Sequence, residues 1–369
     1  MKKITISVIN DLATDQRVYR TCSLLIEMGF SITLIGRKLP NSLPINRPYK
    51  TKRFKFIINK GPLFYLAYNI RLFFYLLFTH QDILWANDLD TLLANSLISW
   101  IKNKPLIYDS HELFTETAEV YNRKLVKKIW EVVEKIGIRH VDTFITVNES
   151  IANIYKNKYN KPIYVVRNLP IKMKNHVYKP LKLKKNDGKY LIIMQGSGIN
   201  IDRGYEEAVL AMKYIDNAIL YIIGSGDVID QLKSLAIKEN LTDKVVFVPK
   251  LPYLEMMKYT TSADLGLSLD KPICLNYLYS LPNKLFDYIQ ANIPIIASDL
   301  PEIRKIIEKY EIGIVIDNID PKKIAETIKR ILKDKEVYEK MKENLKIAAD
   351  ELVWEKEKEI LKIVLQSYM

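Results

Sequence analysis

Short apolar runs alternate with amphipathic stretches along most of this chain. Residues 4–9 form the first apolar run, and residues 31–35 form the second. Between them, Asp15 stands at the start of a helical pattern that Gly29 ends. Continuous apolar runs of this length are typical of strands buried in a parallel sheet, and helical stretches between them are typical of crossover connections. The pattern therefore predicts an α/β fold that begins strand, helix, strand.

The alternation stops once and then resumes. Residues 170–188 lack periodicity and are rich in Lys, Asn and Pro, which is typical of a linker. The chain has 369 residues, whereas single hydrophobic cores seldom grow past about 250–300 residues. We therefore expect two domains, residues 1–170 and residues 171–353.

The most apolar segment is residues 63–78, which carries Arg71 near its centre. A membrane span needs about 20 apolar residues with few or no charges, so this segment is not expected to cross a membrane. Two interpretations remain: a core helix, or a helix in a membrane interface with Arg71 against lipid headgroups. The lysine-rich helix predicted at residues 123–139 is expected to present a solvated face.

The net charge limits the classes of possible partner, and the cysteine content indicates the compartment. The formal net charge is +13, which suits nucleic acid, anionic lipid or a phosphorylated substrate. No arginine-rich run or RNA-binding aromatic motif occurs, so a nucleic-acid partner is not expected. Cys22 and Cys274 both lie in apolar patterns and are expected to be buried free thiols in a reducing compartment. Lys2 and Lys3 lead directly into the first apolar run, which predicts no signal peptide and a cytoplasmic protein.

One stretch combines two charged groups near a helix start. Residues 281–302 read LPNKLFDYIQANIPIIASDLPE, which predicts a helix capped by Ser280, a buried strand at 293–297 and a second helix. Lys284 and Asp287 are three residues apart, close to the positive end of the first helix. A cation for phosphate and a carboxylate for hydroxyls suit a nucleotide sugar.

In its order and spacing this stretch resembles the donor site of GT-B glycosyltransferases, specifically retaining family 4. The resemblance implies two Rossmann-like domains facing across a cleft, with a C-terminal helix, residues 354–369, crossing back to the first domain. It also implies transfer of a sugar from a nucleotide-sugar donor, with retention and without a metal or other cofactor. The acceptor would be a glycan or lipid-linked glycan of lipopolysaccharide, capsule or exopolysaccharide. The enzyme would then work peripherally on the inner, anionic face of the membrane.

The resemblance also implies a set of site residues. His111 follows an apolar strand beside Asp109 and matches the family's histidine near the donor sugar, so it is the expected catalytic residue. Asp287 matches the carboxylate that binds the ribose. Glycines let backbone N–H groups approach an anion, and an arginine offers two parallel donors. The other expected donor-binding residues are Gly196, Ser197, Arg203, Gly224, Asn283 and Lys284.

The sequence evidence for the acceptor-side residues is less specific. Asp15 and Arg17 resemble a D-x-R-V variant of the family, although an ion pair on a helix surface explains them equally. Glu112 and Asp88 are the other acceptor-side candidates. Asp88 begins a D-x-D sequence, which we interpret as a loop with Asp90 as a helix cap rather than as a metal site.

One departure keeps other functions open. The family commonly has a glutamate where this chain has Tyr279, so the choice of sugar does not follow from the resemblance. A nucleotide-sugar epimerase of the same fold would act without an acceptor. A catalytically inactive partner would bind the nucleotide sugar without turnover.

Overall fold

A computed structural model describes residues 1–13, 15–173, 181, 188–196 and 198–369 of the chain. The chain forms two compact units, each a parallel sheet with helices. Unit 1 comprises Met1–Asn168 and Lys358–Met369, and unit 2 comprises Leu169–Glu357. Most of the predicted linker, residues 174–180 and 182–187, lies outside the described residues.

Unit 1 contains seven strands, which pair in parallel in the order β3-β2-β1-β4-β5-β6-β7. The strands are β1 (Lys3–Asp11), β2 (Ser31–Arg37), β3 (Lys50–Phe54), β4 (Ile83–Asn87), β5 (Leu106–Ser110), β6 (Thr143–Thr146) and β7 (Ile163–Val165). The helices are α1 (Gln16–Glu27), α2 (Pro62–Phe78), α3 (Leu89–Lys102), α4 (Ala118–Tyr121), α5 (Lys124–Gly137) and α6 (Glu149–Tyr159). The predicted β-α-β beginning is therefore confirmed.

Unit 2 contains six strands, also parallel, in the order β10-β9-β8-β11-β12-β13. The strands are β8 (Tyr190–Gly196), β9 (Ala218–Gly224), β10 (Val245–Val248), β11 (Leu265–Ser268), β12 (Ile295–Ser298) and β13 (Gly313–Ile316). The helices are α7 (Tyr205–Ala211), α8 (Ile229–Lys238), α9 (Tyr253–Thr260), α10 (Leu275–Leu278), α11 (Asn283–Gln290), α12 (Pro301–Tyr310), α13 (Pro321–Lys333), α14 (Lys335–Glu351) and α15 (Trp354–Leu365).

The last helix, α15, begins in unit 2 and ends in unit 1. At its start, the backbone N–H of Trp354 donates to the carbonyl oxygen of Pro170 at 2.7 Å. Beyond it, the hydroxyls of Tyr368 and Thr143 are 2.6 Å apart, so the C-terminal residues pack against β6. The predicted return of the C-terminal helix to the first domain is therefore confirmed.

Each sheet has one point where the strand order reverses direction. In unit 1 it lies between β1 and β4, and in unit 2 between β8 and β11. Ligands of open α/β sheets bind beyond the carboxyl ends of the strands at such a point. The residues that follow β4 and β5 in unit 1, and β8 and β11 in unit 2, are therefore placed for function.

Helix α11 shows how the stretch from 281 to 302 folds. Leu285, Tyr288 and Ile289 are fully buried, as the helical pattern predicts. The Tyr288 ring lies against Gly266 of β11, where an added Cβ atom would come within 2.6 Å of the ring. Its hydroxyl donates to the carbonyl oxygen of Leu267 at 3.0 Å, so α11 is fixed against β11.

Three local predictions are wrong. Ser280 does not cap α11, because Pro282 occupies the cap position and the buried Ser280 hydroxyl has no hydrogen-bond partner in the described residues. Asp90 is not a cap either: α3 begins at Leu89 and places Asp90 in its first turn. Residues 52–58 alternate between apolar and polar positions, which predicts a strand near a sheet edge, but the strand ends at Phe54. Both buried cysteines, by contrast, are confirmed and form no disulfide.

Candidate functional site

A buried ion pair joins α1 to the end of β5 in unit 1. The guanidinium of Arg17 donates to both carboxylate oxygens of Asp109, from Nη2 at 2.6 Å and from Nε at 3.1 Å. Its third contact is the carbonyl oxygen of Val166 at 2.8 Å. Arg17 is 6% exposed and Asp109 is 2% exposed, so the surface ion pair between Asp15 and Arg17 is ruled out. Asp15 instead caps α1 by accepting from the Val18 N–H at 3.0 Å.

His111 lies between two carboxylates. Its Nδ1 is 3.1 Å from Oδ2 of Asp88, and its Nε2 is 3.3 Å from Oδ2 of Asp109. Burial would lower the pKa of His111, but the Asp88 and Asp109 carboxylates raise it to about 10. The ring is therefore a cation at neutral pH, with a carboxylate beside each nitrogen.

Asp109 and Asp88 are held by the same network. Burial alone would raise the pKa of Asp109, but Arg17 and His111 hold that pKa well below its usual range. Asp88 also accepts from the backbone N–H of His111 at 2.8 Å, and its own φ of 59° lies in the left-handed region. A non-glycine residue holds such a conformation only where its surroundings fix it, as at many functional sites.

A second acidic group lies next to this network. Asp90 is 5% exposed, and one of its carboxylate oxygens has no hydrogen-bond partner in the described residues. Burial, and then the charges of Asp88 and Glu112, raise the pKa of Asp90 well above its usual range. Asp90 therefore keeps its proton to a higher pH than an exposed aspartic acid does. No group of three or more His, Cys, Asp or Glu side chains among the described residues is arranged to hold a metal ion.

In unit 2, a single buried carboxylate holds two cations. Asp270 follows β11 and is fully buried; its Oδ1 is 2.8 Å from Nη1 of Arg203, and its Oδ2 is 3.2 Å from Nζ of Lys284. The Arg203 guanidinium also lies 3.8 Å from the centre of the Tyr277 ring. The structure thus brings together Arg203 and Lys284, which are distant in sequence, through a residue that the sequence reasoning missed.

The charges of this group are uneven. Burial would raise the pKa of Asp270, but Lys284 and Arg203 hold it below its usual range. Burial lowers the pKa of Lys284, and the neighbouring Asp270 opposes that shift. Two cations against one carboxylate leave a positive charge at the carboxyl end of β11.

Asp287 lies on the same helix as Lys284 but has different partners. One carboxylate oxygen accepts from Nε2 of Gln195 at 2.9 Å, and the other accepts from the hydroxyl of Tyr253 at 3.0 Å. Thr260 in turn donates to the amide oxygen of Gln195 at 2.6 Å. Asp287 is 7% exposed, so these contacts fix its carboxylate at the end of β8. Gln195 and Tyr253 were not predicted from the sequence.

The predicted glycines have a packing role. Gly196 and Gly224 are paired neighbours at the ends of β8 and β9, and a Cβ atom on Gly224 would lie 1.8 Å from the Gly196 carbonyl oxygen. Gly224 also has a φ of +143°, which favours glycine. Asn283 is the first residue of α11. The remaining donor-binding candidate, Ser197, lies outside the described residues.

One signal could have identified Asp270. It directly follows the apolar run 265–269, at the end of a predicted strand, where polar side chains gather around ligands. No local signal marks Gln195 or Tyr253 as partners of Asp287, because they come from three separate elements.

Two family models match the chain, one along each unit. The model described as Glycosyltransferase Family 4 matches residues 15–169, and the model described as Glycosyl transferases group 1 matches residues 179–347. The chain is a glycosyltransferase, with one of these models along each unit. This confirms the resemblance to glycosyltransferases, and the two parallel sheets confirm the predicted GT-B type of fold.

The glycosyltransferase is similar over its length to several solved structures. Sucrose-phosphate synthase from Thermosynechococcus elongatus has a TM-score of 0.76 at 17% identity, over 100% of this chain and 99% of that chain. HepE from Anabaena, in complex with UDP and glucose, has a TM-score of 0.73 at 12% identity, over 100% of each chain. WaaG, a glycosyltransferase involved in lipopolysaccharide biosynthesis, has a TM-score of 0.66 at 14% identity, over 99% of each. A comparison with curated proteins finds no match.

Proposed function

We propose that this glycosyltransferase transfers a hexose from a nucleoside-diphosphate sugar to a hydroxyl of a cell-surface glycan, with retention at the anomeric carbon. The observation that carries the proposal is the convergence of Arg203 and Lys284 on Asp270 at the carboxyl end of β11. A diphosphate is a dianion or more at neutral pH, and the excess cation of this group complements it. Similar structures that hold UDP, glucose or UDP-glucose support a uridine donor as the first to test.

In the proposed complex, Arg203 and Lys284 bind the phosphates and stabilise the charge that develops on the leaving group. Groups fixed before the reaction stabilise such charge without reorganising. Asp270 holds both cations in place, so they are oriented before the donor arrives. The same two side chains would supply the neutralisation that a metal supplies elsewhere, and we propose transfer without a metal.

Asp287 is proposed to bind the ribose hydroxyls. A carboxylate accepts hydrogen bonds, as its contacts from Gln195 and Tyr253 show, so it suits the hydroxyl donors of a ribose. These two contacts would also prevent the carboxylate from rotating. The diphosphate and the nucleoside would then be recognised by Lys284 and Asp287, which are three residues apart and lie on one side of α11.

The proposed reaction breaks the bond between the anomeric carbon and the phosphate oxygen. The acceptor hydroxyl oxygen forms the new bond on the same face of the sugar, and its proton passes to the departing phosphate. His111 has a carboxylate beside each ring nitrogen and is charged, so it suits electrostatic positioning of the sugar rather than proton abstraction. Asp88, Glu112, Asp15 and Arg17 remain the proposed acceptor-side group, with Arg17 acting through Asp109.

The proposed acceptor is a glycan or lipid-linked glycan at the cytoplasmic face of an anionic membrane. Two similar structures, WaaG and the lipopolysaccharide outer core galactosyltransferase WaaB, are enzymes of lipopolysaccharide synthesis, which supports this acceptor class. Within the described residues, no helix is both long enough and apolar enough to cross a membrane. The proposed contact is therefore peripheral.

Calorimetric titration with UDP tests the donor site. Arg203→Ala and Lys284→Ala should each weaken UDP binding by about 1.5–3 kcal/mol, the usual value of a hydrogen bond to a charged group. Asp287→Ala should weaken binding of UDP and also of uridine, because its proposed partner is the ribose. Added EDTA should leave the affinity unchanged.

Lys213→Ala is the matched control, because Lys213 is an ion-paired lysine of the same unit, 2.6 Å from Glu239. It removes the same charge and should bind UDP like the wild type. Unchanged affinity in Arg203→Ala, Lys284→Ala and Asp287→Ala would refute the donor site. Epimerised donor in the absence of acceptor would favour an epimerase, and UDP binding without turnover on any glycan would favour an inactive partner.

A further inference from the structure

Helix α2 is apolar on two opposite faces, and only one of them is buried. Phe64, Tyr68, Leu72 and Leu76 face the core, and the Tyr68 hydroxyl donates to the Val8 carbonyl oxygen at 2.7 Å. The opposite face carries five large apolar side chains, each about half exposed or more: Leu63, Leu66, Ile70, Phe74 and Phe78. The core interpretation of residues 63–78 therefore accounts for only one face of the helix.

Helices α3 and α5 extend the exposed side. The three helices lie side by side in the order α2, α3, α5, and α3 contacts both of the others. Helix α5 exposes apolar residues at helical spacing rather than the solvated face that its lysines predict, and α3 exposes three more near its end. The exposed apolar face is defined by Leu63, Leu66, Ile70, Phe74, Phe78, Leu97, Trp100, Ile101, Leu125, Ile129, Val132 and Ile136.

This face gathers more exposed apolar side chains than the singly scattered ones that are normal on a soluble monomer. The largest apolar patch on a typical monomer is about 300–600 Å². Here twelve large side chains are each more than a third exposed, with Trp100 at 67% and Leu125 at 73%. An apolar face with this many exposed side chains indicates an interaction site.

The most exposed charged residues of these three helices are all positive. Lys124, Lys128 and Lys135 are exposed on α5 between its apolar residues, and Arg71 is exposed on α2. All three helices are described in full, and each of their acidic residues is at least partly buried: Asp90, Glu131 and Glu134. A partner of this face must therefore offer an apolar layer for these side chains and negative charges for the lysines.

We infer that the exposed apolar face docks on an anionic lipid bilayer, an inference that rests on the proposed transfer to a membrane-bound acceptor. Apolar side chains would enter the interface, while lysines extend their charged ends to lipid phosphates. A second copy of this chain fits less well, because a two-fold contact through this face would set lysines against lysines. Basic residues near a membrane surface each add attraction to anionic lipid, and salt weakens it.

Sedimentation with vesicles tests the inference. The wild type should bind phosphatidylcholine vesicles that contain phosphatidylglycerol, bind pure phosphatidylcholine weakly, and dissociate as salt rises. Lys128→Glu combined with Lys135→Glu should lower the partition coefficient on anionic vesicles at least about tenfold. Phe74→Asp and Ile129→Asp should lower binding to a similar extent, because each puts a charge into the apolar interface.

Matched controls lie on α8 of unit 2. Lys233→Glu combined with Lys238→Glu changes the net charge equally, and Ile237→Asp alters an apolar residue that is 66% exposed. These controls should bind vesicles like the wild type. Equal loss in test and control variants would show only a non-specific charge effect and would overturn the inference.

Two further outcomes would also overturn it. One is a wild type that ignores anionic vesicles at low salt. The other is a dimer in sedimentation equilibrium that Ile129→Asp dissociates, which would assign the face to a second copy. UDP titration of each face variant confirms folding and separates the two proposals: a variant that keeps UDP affinity and loses vesicle binding concerns the docking face alone.

Discussion

The two units place charged groups at corresponding positions of their sheets but balance them differently. In unit 1, the cations Arg17 and His111 meet the carboxylates of Asp88 and Asp109. In unit 2, Arg203 and Lys284 share the single carboxylate of Asp270. Both groups follow the carboxyl ends of parallel strands.

The difference in charge balance gives the two groups different proposed roles. A group with equal opposite charges is complete without a ligand, so it suits the positioning of neutral sugar hydroxyls. A group with two cations and one carboxylate gains from an anion, so it suits a diphosphate. Four predictions test or refine this comparison.

The largest effect should come from removing the central carboxylate of each group. Asp270→Asn leaves Arg203 and Lys284 side by side without their partner, and Asp109→Asn leaves Arg17 without its partner. Breaking a buried ion pair on one side typically costs about 3–5 kcal/mol. Chemical denaturation of both variants should therefore show a large loss of unfolding free energy.

UDP should distinguish the two variants. In Asp270→Asn the diphosphate can replace the lost carboxylate, so saturating UDP should raise the melting temperature more than it does in the wild type. In Asp109→Asn the increase caused by UDP should match that of the wild type. Equal responses of the two variants would contradict the assignment of the diphosphate to unit 2.

The pH dependence of stability should reveal the charged His111. Its pKa is about 6.5 in an unfolded chain and rises to about 10 in the fold. Its stabilising contribution is therefore complete below about pH 6.5 and is lost as the pH rises through about 10. Relative to His111→Asn, the wild type should lose several kcal/mol across this window and at most about 5 kcal/mol, because each unit of pKa shift corresponds to about 1.4 kcal/mol.

Unfolding free energies of both proteins, measured at intervals from pH 6 to about pH 10, give this difference. Other groups that titrate in the window cancel in the comparison. Parallel curves would mean that His111 is neutral in the fold. The unit 1 group would then have one cation against two carboxylates, rather than equal opposite charges.

Turnover should respond to His111 more than nucleotide affinity does. An interaction made chiefly in the transition state lowers turnover and leaves ground-state binding intact. His111→Ala should lose at least about tenfold in turnover, equivalent to about 1.4 kcal/mol, and bind UDP like the wild type.

This variant should also melt earlier, because Asp88 and Asp109 lose their shared partner. The assay therefore belongs well below its melting temperature, with turnover expressed per folded molecule. Normal specific activity in an early-melting variant would make His111 structural only.

The smallest effect should come from Asp90→Asn. Burial raises the pKa of the Asp90 carboxyl well above its usual range, so its stability contribution falls as the pH rises above about 4. An amide of the same shape avoids that loss, and the melting temperature at pH 7 should stay the same or rise slightly. A loss above about 2 kcal/mol would show a charged, paired Asp90 and add a carboxylate to the unit 1 group.

Much of the fold could be predicted from the sequence, because the evidence for it is local. Apolar runs such as residues 245–248 coincide with the observed strand Val245–Val248, and the helical pattern that ends at Gly29 coincides with α1. The ends of elements were less certain: Phe54 ends a strand that was predicted to continue to residue 58. Helix α6 was missed, since its mixed polar sequence has little periodicity.

The candidate site could be predicted only in part. Lys284 and Arg203 were identified by their positions near helix starts, yet their common partner Asp270 was not. Arg17 and Asp109 were named separately, and the ion pair between them joins residues 92 positions apart. Such pairs depend on which strands become neighbours, and no single segment of the sequence determines that order.

The sequence by itself determined the alternation of strands and helices, the division into two units and the glycosyltransferase class. Each follows from patterns within a few dozen residues, where side-chain spacing reports the local backbone. Only the tertiary structure decided which charges pair and which apolar faces are covered. Residues 63–78 show the reason: periodicity marks a side chain as apolar, but the neighbouring helices decide whether Leu72 is buried and Phe74 exposed.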